Sequence, residues 1–254
     1  MRNIIIGWSI FFVSGAVFWL WEKRDSLRTI KYDTEFLKEI RLTVISIIFS
    51  IITAYTVYAF GLILKPWIPP SIMESVAWTG VLPLPLEIRF VIAFFLKDFT
   101  YYVTHRATHA NRILWRSHKM HHSSEQLWWL VSPRISLLGN FISSLGYVWF
   151  TVLEIPAEAV AFVGLFEYMF QGWLHLNVAW HPWMEVVEWI IITPRFHAVH
   201  HIPRPEIRGK NVGGMFSFFD RLFGTYVNPA TIDPNKEEFG LNGEPITVRM
   251  IVGI

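Results

Sequence analysis

Apolar residues gather in five stretches along the chain, separated by polar or proline-rich connections. Residues 4–21 form an uncharged run of roughly membrane-spanning length, read as an anchor helix. A cleaved signal peptide fits poorly, because only Arg2 precedes the run and Trp19 and Trp21 occupy the place of small cleavage-site residues. A polar segment, 22–42, carries Lys23, Arg24, Arg28, Lys31, Lys38 and Arg41, and residues 43–64 are a second clean apolar run. After a connection rich in proline (Pro66, Pro69, Pro70, Pro83, Pro85) comes a third, 87–104. Residues 135–153 and 157–176 read as a helical hairpin turning at Glu154 and Pro156. Beyond His181 the chain is more polar except for Val186–Ile192, as expected of a cap lying outside the apolar layer.

This pattern predicts an all-α integral membrane protein with four to five transmembrane helices and a cytosolic helical cap. Basic residues favour the cytoplasmic side, so the six in 22–42 put that loop inside and the N-terminus outside. Counting spans onward returns the chain to the cytoplasm just before His105 and again just before His175. The whole of 1–254 reads as one domain: N-terminal helices and linker over 1–86, a histidine-rich region over 87–230, and a tail over 231–254.

Composition agrees with that reading. The chain is 53% apolar and 17% charged, with a mean hydropathy of +0.37, where soluble domains average about 25% charged. A net charge of +2 gives no reason to expect nucleic acid as a partner. With no cysteine, disulfides, iron–sulfur clusters and thiolate zinc sites are excluded. No glycine-rich nucleotide motif appears, Gly213-Gly214 being a lone turn signal, so electrons for any redox step must come from another protein.

The candidate chemistry lies in the histidines. All ten fall between His105 and His201, eight of them in three boxes: His105 and His109; His118, His121 and His122; His197, His200 and His201. Residues three and four apart share a helix face, so each box is expected to present one stripe of imidazoles. Thr193-Pro194 is a helix-opening signal just ahead of the third box. Neutral imidazole suits several first-row metals. One tetrahedral ion needs three or four ligands, and eight or more imidazoles are enough for two ions. A polar, pH-sensing helix face is the alternative, but it would leave many imidazole donors and acceptors unpaired. His175 is expected as a further ligand, whereas His181 is open between a ligand, a partner of a ligand and a surface residue.

Other polar residues are placed by register. Asp98, Tyr102, His105 and His109 form one stripe. Asp98 is read either as a hydrogen-bond partner of a ligand histidine on a neighbouring helix or as a helix-packing contact. Asn177 is read as orienting a metal-bound water or as a turn residue, and Trp128-Trp129 as an interfacial belt. Lys97 and Glu167, with Gln171 nearby, lie at matched depth roughly 12 Å below His105 and His175. They are expected either to meet as a buried pair or to line a substrate channel. Arg134 and the Asp220–Arg221 pair are expected to tie the cap to the helices.

The boxes H-x3-H, H-x2-H-H and H-x2-H-H, in this order behind apolar spans, resemble the fatty acid hydroxylase/sterol desaturase superfamily. D-F-T-Y-Y-V-T-H-R at 98–106, H-L-N-V at 175–178, T-P-R-F-H-A-V-H-H at 193–201 and F-D-R-L-F-G-T-Y at 219–226 carry the resemblance over roughly 95–230. It implies two iron ions, O₂ as co-substrate and hydroxylation or desaturation of an unactivated C–H bond of a lipid such as a sterol, fatty acyl chain or alkyl lipid. It implies as ligands the eight box histidines and His175; His181 lies outside the pattern. Electrons would come from a separate carrier, cytochrome b5-like or a ferredoxin with its reductase. With no lysine-rich retrieval tail and no fused haem domain, a bacterial inner membrane is favoured over the endoplasmic reticulum. The competing reading is a membrane metal-binding or transport protein without redox catalysis.

Overall fold

A computed structural model describes residues 2–31, 34–67 and 84–254. The expected turn prolines Pro69, Pro70 and Pro83 lie outside the described residues. Four long helices dominate: α1 (Arg2–Arg24), α2 (Thr34–Leu64), α3 (Leu86–Ala110) and α7 (Ala157–Leu174). Between α3 and α7 run three short helices, α4 (Trp115–Lys119), α5 (Leu137–Ser144) and α6 (Val148–Val152). The chain continues through α8 (Trp183–Val187), α9 (Pro194–His200), α10 (Phe218–Leu222) and α11 (Val248–Val252). Among the described residues there is no strand, only isolated bridges between Ser26 and Val178 and between Ile191 and Phe216. The fold is all-α.

The expected hairpin forms at 137–174, but its first arm is interrupted by a 3₁₀ turn at Leu145–Tyr147. A close approach explains the interruption. A Cβ on Gly146 would stand 2.7 Å from the carbonyl oxygen of Lys97, so only glycine lets this turn lie against α3. Glu154, with φ of 56°, reverses the chain, and Pro156 opens α7. Ala93, Phe150, Leu153, Ile155 and Val163 close the core between α3, α6 and α7.

Large apolar side chains remain uncovered on the long helices. Val44, Ile48 and Ile52 of α2, each 51% exposed, recur every four residues on one face. Val13, Val17 and Leu20 do much the same on α1, as do Val91 on α3 and Phe162 on α7. Among the described residues no helix is both long and apolar enough to cross a membrane.

Trp128 and Trp129 differ from the expected interfacial belt. Trp128 is buried against Phe36, and the Trp129 ring lies over Gly15 and beside Phe18 of α1. The cause is a 3₁₀ turn, Trp129–Val131, that crosses α1 and has its first N–H held by Glu22. The tail is docked as well: Met250 of α11 packs on Leu42 and on Met120, inside the second histidine box.

Candidate metal centre

Nine of the ten histidines come together at the ends of α3 and α7 and around α9. They form two groups: His105, His109, His118, His122 and His200; and His121, His175, His197 and His201. Within each group the ligand atoms all lie within 4.8 Å of one another, and every member is buried. Neither group contains a carboxylate.

Local structure explains the partition. On α3, His105 and His109 are one turn apart and both join the five-histidine group. The second box does not form a single stripe. Helix α4 ends at Lys119, and a 3₁₀ turn, His121–Ser123, sends the neighbours His121 and His122 into different groups with ring planes at 88°. Thr193 caps α9 by accepting the N–H of Phe196, with Pro194 in the first turn, as the sequence suggested. The helix delivers His197 to one group, and His200, three residues on, to the other. His175 sits at the C-cap of α7 with no exposed surface.

Backbone carbonyls orient three of the rings. Nδ1 of His105 meets the Val212 carbonyl at 2.7 Å, Nδ1 of His175 that of Gln171 at 2.8 Å, and Nδ1 of His200 that of Lys210 at 2.9 Å. A carbonyl only accepts, so Nδ1 carries the hydrogen and Nε2 turns a lone pair inward.

The inward nitrogens then face one another: 2.9 Å for His105 and His118, 3.1 Å for His122 and His200. In the second group His175 faces both His121 and His197 at 3.2 Å, and His197 faces His201 at 3.1 Å. Protons cannot satisfy this chain. If His197 donates to His175 it has no lone pair left for His201. Both ring nitrogens of His109, and Nδ1 of His121 and His197, are buried without a hydrogen-bond partner. A metal ion would resolve the conflict. With metal–imidazole bonds of about 2.1 Å, adjacent ligand nitrogens stand about 3.0 Å apart in an octahedron and about 3.4 Å in a tetrahedron. Burial holds the imidazoles of His105, His109, His118, His121, His122, His197 and His201 well below their ordinary 6.5, reinforced by neighbouring histidines, and lowers His200 to about 4. At neutral pH the lone pairs are free to bind.

The remaining candidates have other roles. Asp98 reaches no histidine; its carboxylate accepts the N–H groups of Met215 at 3.0 Å and Phe216 at 3.1 Å. Gly214 permits this, since a Cβ there would stand 2.6 Å from the Asp98 carboxylate. Tyr102 hydrogen-bonds Thr225 at 2.8 Å. Asn177 lies in the extended stretch after α7, its amide bonded to both backbone groups of Arg28. His181 belongs to neither group: the extended chain after α7 carries it to the surface, where it pairs with Asp25. Arg134 ties the second box to α2, binding Glu39 and the Ser123 hydroxyl.

Register alone did not single out the residues that hold the orienting carbonyls. Asp220, fully buried, accepts the N–H groups of Val212 and Gly213 at 2.8 Å and the Thr225 hydroxyl at 2.7 Å. Together with Asp98 it clamps the segment whose Val212 carbonyl fixes His105. Glu188, 1% exposed, grips Arg195 through both carboxylate oxygens and receives the Thr193 hydroxyl, anchoring the start of α9. The motif around 219–226 contained Asp220, but nothing in its spacing linked it to His105.

Among the described residues, two cavities reach the histidines. One, of about 620 Å³, extends from the hairpin turn at Glu154–Ala157 to His121 and is bordered by Lys97, Glu167 and Gln171. There Lys97 and Glu167 are joined as an ion pair, and Tyr147 donates to the second Glu167 oxygen at 2.6 Å. The other, of about 340 Å³, reaches His109, His122, His200 and His201 past Trp115 and Arg208.

Residues 90–225, which contain all nine clustered histidines, match the fatty acid hydroxylase family. Alkylglycerol monooxygenase of Xenopus tropicalis is 33% identical over 147 residues, covering 58% of this chain and 31% of that protein. Ornithine lipid hydroxylase of Rhizobium tropici is 27% identical over 161 residues, covering 63% and 47%. Delta(7)-sterol 5(6)-desaturase of Gibberella zeae is 29% identical over 161 residues, covering 60% and 40%. The matched part of the chain thus covers 31–47% of the length of these relatives. No solved structure matches it. A match over more than half of the chain, enclosing every histidine of both groups, establishes that this protein belongs to the fatty acid hydroxylase family.

Proposed function

We propose that this protein is an O₂-dependent membrane oxidoreductase that hydroxylates or desaturates an unactivated C–H bond of a lipid, using two iron ions. The observation that carries the reading is the pair of closed, carboxylate-free imidazole groups, one of them bordering a long cavity. The relatives named for lipid monooxygenation, hydroxylation and desaturation support the same reaction class. His105, His109, His118, His122 and His200 would hold one ion, and His121, His175, His197 and His201 the other. Bound iron supplies the activation of O₂ that no side chain can provide. The chain's own part is to hold neutral imidazoles in place, aim their lone pairs through the carbonyls of Val212, Lys210 and Gln171, and keep bulk water from the cavity end. No general acid among the side chains is required.

The long helices would lie in a bilayer, with the histidines on its cytoplasmic side and the whole chain forming one domain. The uncovered valine and isoleucine rows on α1, α2 and α3 support this, because exposed apolar surface of that extent needs an apolar neighbour. Electrons would come from a separate carrier protein, since the sequence holds no nucleotide or flavin motif.

Metal analysis with Mössbauer spectroscopy, on protein made with enriched iron and purified in mild detergent, tests the proposal. Two irons per chain, magnetically coupled and altered by O₂ after reduction, are expected. One redox-silent ion, or none, after iron loading would overturn it and favour a binding or transport role.

A further inference from the structure

The long cavity is not apolar throughout. One face of α7 lines it through Ala157, Val160, Ala161, Gly164, Glu167 and Gln171, a run of about 21 Å at 1.5 Å per residue. All but the last two of these are small or aliphatic. Glu167 stands partway, about 15 Å from Ala157 and about 12 Å from His175 along the helix. From the opposite wall Lys97, 6% exposed, pairs with it, and Tyr147 donates to its other oxygen.

Stability alone does not explain an ion pair here, because an apolar pair of similar volume would pack as well or better. Its hydrogen bonding is also incomplete. An ammonium has three N–H donors, and Lys97 spends one on Glu167. The rings of Tyr101 and Tyr147 flank it at 5.7 and 5.5 Å, but among the described residues no second acceptor engages Nζ. Donors therefore remain at a wall of the cavity. The charge there is one ammonium against the two carboxylates of Glu167 and Asp98, so an anionic group is disfavoured and an uncharged oxygen is favoured.

We infer that Lys97, Glu167 and Tyr147 form a recognition point for an uncharged oxygen function (an ether, hydroxyl, or ester or amide carbonyl) partway along a linear lipid, and that this contact sets which carbon reaches the histidine groups. The inference rests on reading this cavity as the substrate site. Gly146 is part of the device: its close approach to Lys97 brings Tyr147 alongside the ion pair.

The test is equilibrium binding by displacement of a fluorescent alkyl probe, with the whole iron-loaded protein in detergent and O₂ excluded. The competitors are linear monoethers of one fixed length that differ only in the position of the oxygen, together with the alkane of that length. One oxygen position is expected to bind about tenfold tighter than the alkane, the effect of one charge-assisted hydrogen bond. The Lys97→Met/Glu167→Met double variant removes both charges and is expected to flatten the profile with metal content unchanged. Equal binding at every position by the native protein overturns the inference without recourse to any variant. So does a position preference that survives in the folded double variant. Because binding is read without turnover, a clear preference combined with no oxidised product from a separate reaction given iron, O₂ and an added electron donor would sustain the recognition point and refute the oxidation reading.

Discussion

Asp220→Asn isolates what the clamped segment contributes to the metal groups. The Asp220 carboxylate accepts from Val212, Gly213 and Thr225, all within 2.8 Å, and has no exposed surface. An amide keeps the shape but turns one acceptor into a donor. In the milder orientation the Gly213 N–H loses its partner and faces an NH₂; in the other, Val212 and Thr225 lose theirs. One charge-assisted bond lost and one buried N–H left unpaired cost roughly 2–4 kcal/mol. The damage is directional, because the displaced segment carries the Val212 carbonyl that sets the Nδ1 hydrogen of His105. Loss of a group that orients a metal-bound histidine typically lowers metal affinity 10–100-fold, roughly. The expected result is therefore a lower melting temperature together with selective loss of one iron per chain under chelator competition, restored at high iron concentration. The four-histidine group, which takes no orienting bond from this segment, should keep its ion. Retention of both ions at native affinity despite the lower melting temperature would refute the argument. Parallel loss of both would refute it too, by reducing Asp220 to a general fold residue.

Three further outcomes follow from the same geometry. His109→Ala and His121→Ala each remove one ligand from a different group, so each should lower iron content from two toward one, with different residual Mössbauer signals; identical residual signals would mean that the groups do not bind separate ions. Stability of the metal-free protein should fall as pH is lowered from about 6.5 toward about 4, because the unfolded chain takes up protons that the buried imidazoles, with His200 at about 4, refuse; urea unfolding that is flat from about pH 7 to about pH 5 would contradict this. Lys97→Met alone leaves Glu167 without its cation and should destabilise by about 3–5 kcal/mol, whereas the double Lys97→Met/Glu167→Met variant should lie near the native value; thermal unfolding in detergent separates the two.

Much of this organisation was legible in the sequence because helical periodicity constrains it directly. The spacing of His105 and His109 put both on one face of α3, and Thr193-Pro194 marked the start of α9 to the residue. The matched depth of Lys97 and Glu167 followed from 1.5 Å per residue, and the structure brings these two side chains together. What could not be read depends on irregular backbone. A one-stripe expectation for His118, His121 and His122 assumed a continuous helix, and the 3₁₀ turn after Met120 breaks it. Asp98 and Asp220 act on backbone N–H groups more than a hundred and about eight residues away, respectively, and side-chain register carries no information about such contacts. Trp128 and Trp129 look like interfacial residues by composition, but a turn crossing α1 buries Trp128 and half-buries Trp129.

The two groups are unequal, and the inequality bears on where a lipid would react. The second box and α9 each supply ligands to both groups, so neither is complete until α4, its following turn and α9 have docked on α3 and α7. Binding of a metal would therefore be coupled to closure of this junction, with the Val212 and Lys210 carbonyls aiming their rings. Five imidazoles surround one site and four the other. An ion with fewer protein ligands keeps room for exogenous ones, which separates catalytic from structural metal sites in general. Of the two groups it is the four-histidine one whose His121 lines the long cavity, whereas the smaller opening beside Arg208 is bordered by His109, His122 and His200 of the five-histidine group and by His201 of the other. The four-histidine group thus meets the long cavity through His121, while both groups border the smaller opening. Under the proposed oxidation, a chain lying in the long cavity would therefore meet His121 and its group first.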